Sequence, residues 1–157
     1  MDVFITDNSR TASPHDAHLL ATFSQDSNIV RVLDVRQPGQ ALLELKGHSA
    51  SLSSVEWSPN RRGVLASGGD DCLVLLWDLI NQHNAAPISF PNQNNPAPAP
   101  NPRSQATTTE RGPAAAWKCD YEVSNISWSP QGGTTSSGHP RDWLSVCGGR
   151  GIWGVSL

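Results

Sequence analysis

The chain has no apolar run of the roughly eighteen or more residues that a membrane-crossing helix needs, and it opens on no signal-peptide pattern. Charge is sparse: 16% of residues are Asp, Glu, Lys or Arg, and the formal net charge is −3. That balance leaves no basic footprint for a phosphate backbone. There is one methionine and few lysines, while glycine and proline number 13 and 12. Such a composition disfavours long amphipathic helices and favours short strands with many turns. The cysteines, Cys72, Cys119 and Cys147, are few and far apart, so no Cys-x-x-Cys metal or redox pair exists. Each sits in or beside an apolar run, which reads as buried, reduced thiols in an intracellular, soluble protein. No clustered acids, metal-ligand spacing or nucleophile elbow appears, so the sequence predicts no catalytic residue, no cofactor and no metal.

What the chain does have is internal repetition. The segments "IVRVLDV" and "LVLLWDL" end on Asp34 and Asp78, 44 residues apart. Each follows a second matching pair, "HLLATFSQ" and "VLASGGD". A third pair, "SSVEWSP" and "SNISWSP", places Trp57 and Trp128 71 residues apart, one period plus 27. The surplus falls in a low-complexity stretch. A period of about 40–45 residues built from four short strands is the signature of β-propeller blades. The expected fold is all-β: a partial propeller of about three blades in an open arc.

Gly47-His48 stands 30 residues before Asp78, and "GHSASLSSVEWSPNRRGVLASGGDDCLVLLWDL" resembles the WD-repeat family over its whole length. The resemblance places His48, Ser67, Asp71 and Trp77 on the family's structural tetrad. In it the acid accepts from imidazole, imidazole from the serine hydroxyl, and serine from the indole. Ser, His and Asp together also suggest a hydrolase triad. The serine, however, lies inside a strand, with no strained elbow and no oxyanion-hole segment, so the structural role is the expectation.

The chain divides accordingly. Residues 1–12 fit no blade strand well. Residues 13–80 and 114–157 make the blades. The first has strands near His18–Gln25, Asn28–Val35 and Ala41–Lys46. The second has Leu52–Trp57, Val64–Ser67, Leu73–Leu79 and Ala114–Cys119. The third has Val123–Trp128, Trp143–Gly148 and Gly151–Leu157. Residues 81–113 hold seven of the twelve prolines and few large apolar side chains. Such a segment buries too little surface to offset its ordering entropy, and disorder is expected. Leu33 occupies the tetrad tryptophan position in the first blade, and "GGRGIWGVSL" lacks the acid and Trp-Asp in the last, so neither completes a tetrad. "GGRG" aligns with the turn "GGDD" and reads as a turn, not a phosphate loop.

The wording of "LLATFSQDSNIVRVLDVRQPGQALLELKGHSASLSSVEWSP", with "DWLSVCGG" near the end, further resembles the C-terminal third of the Transparent Testa Glabra and anthocyanin-regulating WD-repeat proteins. That resemblance implies a nuclear and cytoplasmic scaffold or adaptor. Its implied partners are protein kinases and transcription factors of the Myb and basic helix-loop-helix classes, without direct nucleic-acid or membrane contact. "VLDVR" resembles the WDxR box that docks on a cullin-4 ligase adaptor: Asp34 and Arg36 match, and Leu33 replaces tryptophan. A ubiquitin-ligase substrate receptor is therefore an alternative, with a strand-end salt bridge as the plainer role of the same two residues. Three blades are fewer than the four to eight of a closed propeller. An open arc with exposed blade faces is expected, a non-functional piece unless the remaining blades come from a full-length chain or other copies. "MDVFIT" is the candidate strand for the last blade's missing edge.

Overall fold

A computed structural model describes residues 10–81, 109–130, 132–134 and 140–157. Among them every regular element is a strand: β1 (Arg10–Ala12), β2 (Leu19–Thr22), β3 (Ile29–Asp34), β4 (Ala41–Lys46), β5 (Leu52–Trp57), β6 (Val64–Gly69) and β7 (Leu73–Asp78) come first. After the interval that lies outside the described residues come β8 (Thr109–Arg111), β9 (Ala115–Lys118) and β10 (Val123–Trp128). Last are β11 (Gly132–Thr134), β12 (Pro140–Arg141), β13 (Trp143–Gly148) and β14 (Gly151–Ser156).

The strands form three blades. The first sheet runs β1-β2-β3-β4-β8, the second β5-β6-β7-β9, the third β10-β13-β14, and β11 and β12 form a separate antiparallel pair. Three backbone bonds recur. Ser13 N donates to Leu19 O at 3.0 Å, Ser58 N to Val64 O at 2.8 Å, and Ser129 N to Trp143 O at 2.8 Å. The ends of the third strands close in step: Val35 N to His18 O, Leu79 N to Gly63 O, and Leu157 N to Asp142 O, at 2.8 to 2.9 Å. The repeat is thus a repeat of ladder geometry, which places Ala12, Trp57 and Trp128 at one equivalent position.

Two boundaries differ from the sequence expectation. Arg10–Ala12 belongs to the first blade as its inner strand, paired Arg10↔Thr22 to Ala12↔Leu20. The segment "SPHDAH" is the turn after it, with Ser13 Oγ accepting from Asp16 N at 3.1 Å. The stretch expected to be disordered through residue 113 ends in order, because Thr109–Arg111 adds to β4 in parallel register, Leu43↔Thr109 to Leu45↔Arg111. An edge strand offers unpaired backbone groups that a passing segment can satisfy. The rest of the expected disordered stretch, 82–108, and "MDVFIT" lie outside the described residues.

Two cores hold the blades face to face. Ala21, Val30, Val32, Leu43 and Leu45 of the first blade meet Val55, Trp57, Leu65, Leu75 and Trp77 of the second. On the opposite face Val64, Ala66, Val74 and Leu76 meet Val123, Ile126, Trp128, Leu144 and Val146 of the third. The period of 2 sends alternate residues of β6 and β7 to different cores. Both faces are covered, so every residue of β6 is buried, and "LVLLW" reads as an unbroken apolar run. Gly68 sits in the second seam: a Cβ there would meet Val123 Cγ1 at 2.4 Å. The outward faces of the first and third blades carry exposed Leu42, Trp143 and Ile152. The cysteines depart from expectation too. All three are free and only partly buried, because each lies at a strand end or on the outward face of β13.

Candidate functional site

Four side chains from four places in the second repeat converge at the seam with the first blade. His48 lies in the entry to β5, Ser67 on β6, Asp71 in the β6–β7 turn and Trp77 on β7. Trp77 Nε1 donates to Ser67 Oγ at 2.8 Å. Ser67 Oγ is 2.8 Å from His48 Nε2, and His48 Nδ1 is 2.9 Å from Asp71 Oδ2. An indole can only donate, so the serine oxygen accepts there and turns its own proton toward Nε2. That leaves Nδ1–H to donate to the carboxylate. Asp71 also accepts from Ser49 N at 2.8 Å and Leu73 N at 3.2 Å. Gly47 packs tightly beside this array: a Cβ would stand 3.0 Å from Leu75 Cδ1 and 3.1 Å from Trp77 Cη2, so those side chains would have to give.

Each polar group is satisfied by the next, as a low-dielectric interior demands. The distances resemble a catalytic triad, but the chemistry does not. Ser67 is fully buried, and its oxygen is held between indole and imidazole, with no approach for an electrophile. A nucleophile needs an open face and donors for the developing oxyanion; this serine has neither.

The equivalent positions in the flanking blades show what the array does. Strand pairing sets Thr22 and Leu33 of the first blade, and Val146 and Val155 of the third, at the positions of Ser67 and Trp77. The third blade replaces both polar groups with valine. The first keeps a hydroxyl but loses its partners, and Thr22 Oγ1 is buried without a hydrogen bond.

Asp34 and Arg36 lie at the end of β3, on the opposite rim from the β6–β7 turn. Arg36 donates to Asp34 from its backbone N at 3.0 Å, from Nε at 2.9 Å and from Nη2 at 2.6 Å. The guanidinium bonds, with the backbone bond, hold the Asp34 carboxyl down at about 2, below the usual carboxylate range. Asp78 does the same in the next repeat, accepting from Ile80 N at 3.0 Å and from Asn81 Nδ2 at 2.7 Å. The acid that ends each third strand therefore ties down the turn after it. Arg36 remains largely exposed and borders a hollow of about 700 Å³ with Asp34, Arg62, Arg111, Leu42 and Ile80. The structure does not bring this pair together with the tetrad.

Sequence reading missed the residues that lock blade to blade. Trp57 Nε1 donates to Thr11 O at 3.0 Å, and Trp128 Nε1 to Glu56 O at 3.2 Å. Each indole reaches the inner strand of the preceding blade. The neighbouring Arg61 and Arg62 part in opposite directions. Arg62 pairs with Asp16 of the first blade at 2.5 Å, which holds the Asp16 carboxyl below its ordinary range. Arg61 reaches Asp142 of the third blade at 2.5 Å; its Nε–H is poorly aligned for a hydrogen bond, so the contact is an ion pair. Asn60 Nδ2 donates to the same carboxylate at 2.8 Å. The available signal was the dipeptide Ser-Pro, which recurs at Ser13, Ser58 and Ser129 and marks all three inner strands.

Residues 39–78 match the family described as WD domain, G-beta repeat. The chain is 32% identical to a Saccharomyces cerevisiae protein, WD repeat-containing protein YPL247C, over 92% of this chain and 32% of that protein. It is 42% identical to Histone acetyltransferase type B subunit 2 of Debaryomyces hansenii over 46% of this chain and 19% of the relative. It is 36% identical to the DDB1- and CUL4-associated factor 7 homolog of Dictyostelium discoideum over 41% of this chain and 20% of the relative. The chain spans about a third of the length of the yeast relative, or less of the others. It contains a WD40 repeat set in a partial β-propeller, and it has WD-repeat relatives.

Proposed function

We propose that the chain is part of a non-enzymatic scaffold that binds other proteins in the nucleus and cytoplasm. The observation that carries this reading is the occupation of the triad-like array. His48, Ser67, Asp71 and Trp77 are spent on one another inside a seam, while Arg36 at the strand-end rim is largely exposed. Rims held on rigid stacked sheets are a familiar place for recognition. The relatives named for a histone acetyltransferase subunit and for a cullin-associated factor support protein partners. The finer expectation, an adaptor of the Transparent Testa Glabra kind for kinases and for Myb or basic helix-loop-helix factors, rests on the sequence wording alone. None of the relatives named above bears that name.

A second reading, a ubiquitin-ligase substrate receptor, is favoured by a specific observation. Asp34 presents the exposed Arg36 guanidinium in a fixed bidentate geometry beside Leu42 and Ile80, and a relative is named for association with CUL4. The test is binding of the immobilised full chain to purified cullin-4 ligase adaptor, to protein kinase and transcription-factor candidates, and to RNA. Protein binding that exceeds RNA binding supports the scaffold; adaptor binding lost in Arg36→Ala supports the receptor. Recovery of RNA in preference to every protein tried would contradict both.

A further inference from the structure

Cys72, just before β7, and Cys119, just after β9, are backbone neighbours. The ladder register ends at Leu73↔Lys118; just beyond it Cys119 N donates to Cys72 O at 2.7 Å, while Cys72 N turns to Gly69 O at 3.3 Å. That bond alone keeps the two Cα atoms within roughly 6.6 Å of each other, inside the roughly 4.4–6.8 Å that a disulfide spans. Both thiols lie toward the third blade. Cys119 packs against the core shared by the second and third blades, and Cys72 lines the hollow of about 650 Å³ that opens over that seam. Cys72 is also one of two non-glycine residues in the described chain with positive φ, 61°. The tight turn thus places its side chain at the mouth of the hollow, next to the end of β9.

We propose that Cys72 and Cys119 form a reversible cross-strand disulfide, with a small-molecule disulfide such as oxidised glutathione as the oxidant. Neither residue enters the tetrad, the Asp34–Arg36 pair or the blade-to-blade bonds. In the first step the Cys72 thiolate attacks one glutathione sulfur, forms a mixed disulfide and expels the other half as glutathione thiolate. In the second, the Cys119 thiolate attacks Cys72 Sγ and releases the second glutathione. Two protein thiols lose two electrons and two protons, and one glutathione disulfide becomes two glutathiones. Burial, with smaller contributions from Cys72 and Asp120, pushes the Cys119 thiol up, which makes the half-exposed Cys72 at the hollow the entry point. The bond would tie the rim strand β9 to the second blade by a second covalent path, independent of the long connection between β7 and β9.

The reduced full chain is incubated with oxidised glutathione, alkylated with iodoacetamide, digested without reduction and read by mass spectrometry. The expected product joins the Cys72 and Cys119 peptides at two hydrogens below their summed mass, with Cys147 alkylated. In Cys119→Ser the glutathione adduct should persist on Cys72. After a protease cut between residues 82 and 108, the two fragments of the oxidised chain should separate in denaturant only on reduction, a readout that needs no variant to fold. Separate alkylation or separate glutathionylation of Cys72 and Cys119, or a bridge from either to Cys147, would overturn the proposal.

Discussion

Trp77 donates its one proton to the hydroxyl of Ser67 at 2.8 Å, and both residues are buried at the seam between the first two blades. This bond ends a chain that begins at a turn carboxylate and crosses an imidazole. Its members come from the β5 entry, β6, the β6–β7 turn and β7, so loss of one leaves a buried neighbour unsatisfied.

Replacing His48 by alanine takes the acceptor from the buried Ser67 hydroxyl proton and one donor from Asp71, and a loss of about 1–3 kcal/mol is expected. Trp77→Ala removes a large buried ring as well as the donor and should cost more, about 3–5 kcal/mol. Urea melts of the two variants against the parent measure both. Equal stability of His48→Ala and the parent would mean that the array carries no load.

Arg61 and Arg62 are adjacent yet should respond differently. Asp142 is fully buried, and among the described residues Arg61 is its guanidinium partner and Asn60 its hydrogen-bond donor, so Arg61→Ala takes the positive charge from beside a buried carboxylate. Arg62 is 68% exposed, and exposed pairs contribute little. Arg61→Ala should lower the melting temperature clearly more than Arg62→Ala; the reverse order would contradict the assignment of the pairs.

The Asp34 carboxyl is held at about 2 by Arg36, so the pair should survive mild acid. A depressed folded-state value means that the contribution to stability is present above the unfolded value, near 3.9. It fades as pH falls toward 2 and is absent below that. A carbon-detected NMR titration of the Asp34 carboxyl should show its midpoint near 2, moving up in Arg36→Ala. A midpoint near 4 in the parent would show that the bidentate contact does not persist in solution.

The second blade was legible because each of its signals is local: Gly-His, Trp-Ser-Pro, a turn acid and Trp-Asp at fixed offsets. The tetrad partners could be named for the same reason. Its doubly buried strands announced themselves as an unbroken apolar run. β1 was not legible, since three residues reading Arg-Thr-Ala have no pattern of their own, and only the following Ser-Pro ties them to a blade. β8 follows from a free edge on β4 that is created by folding, which no local propensity in "TER" encodes. The opposite fates of Arg61 and Arg62 depend on which blade lies on either side. The exposure of the cysteines likewise came from strand ends that apolar context alone does not reveal.

The most direct test of the claim that the tetrad is architecture is hydrogen exchange at the tryptophan indoles, followed by NMR on the intact chain. The Trp77 indole N–H, with its ring 1% exposed and bonded to Ser67, should exchange only through global unfolding, alongside Trp57 and Trp128. Trp143, 41% exposed, should exchange rapidly. Slow exchange at Trp77 that becomes fast in Ser67→Ala is the predicted result; exchange at Trp77 as fast as at Trp143 in the parent chain would contradict it.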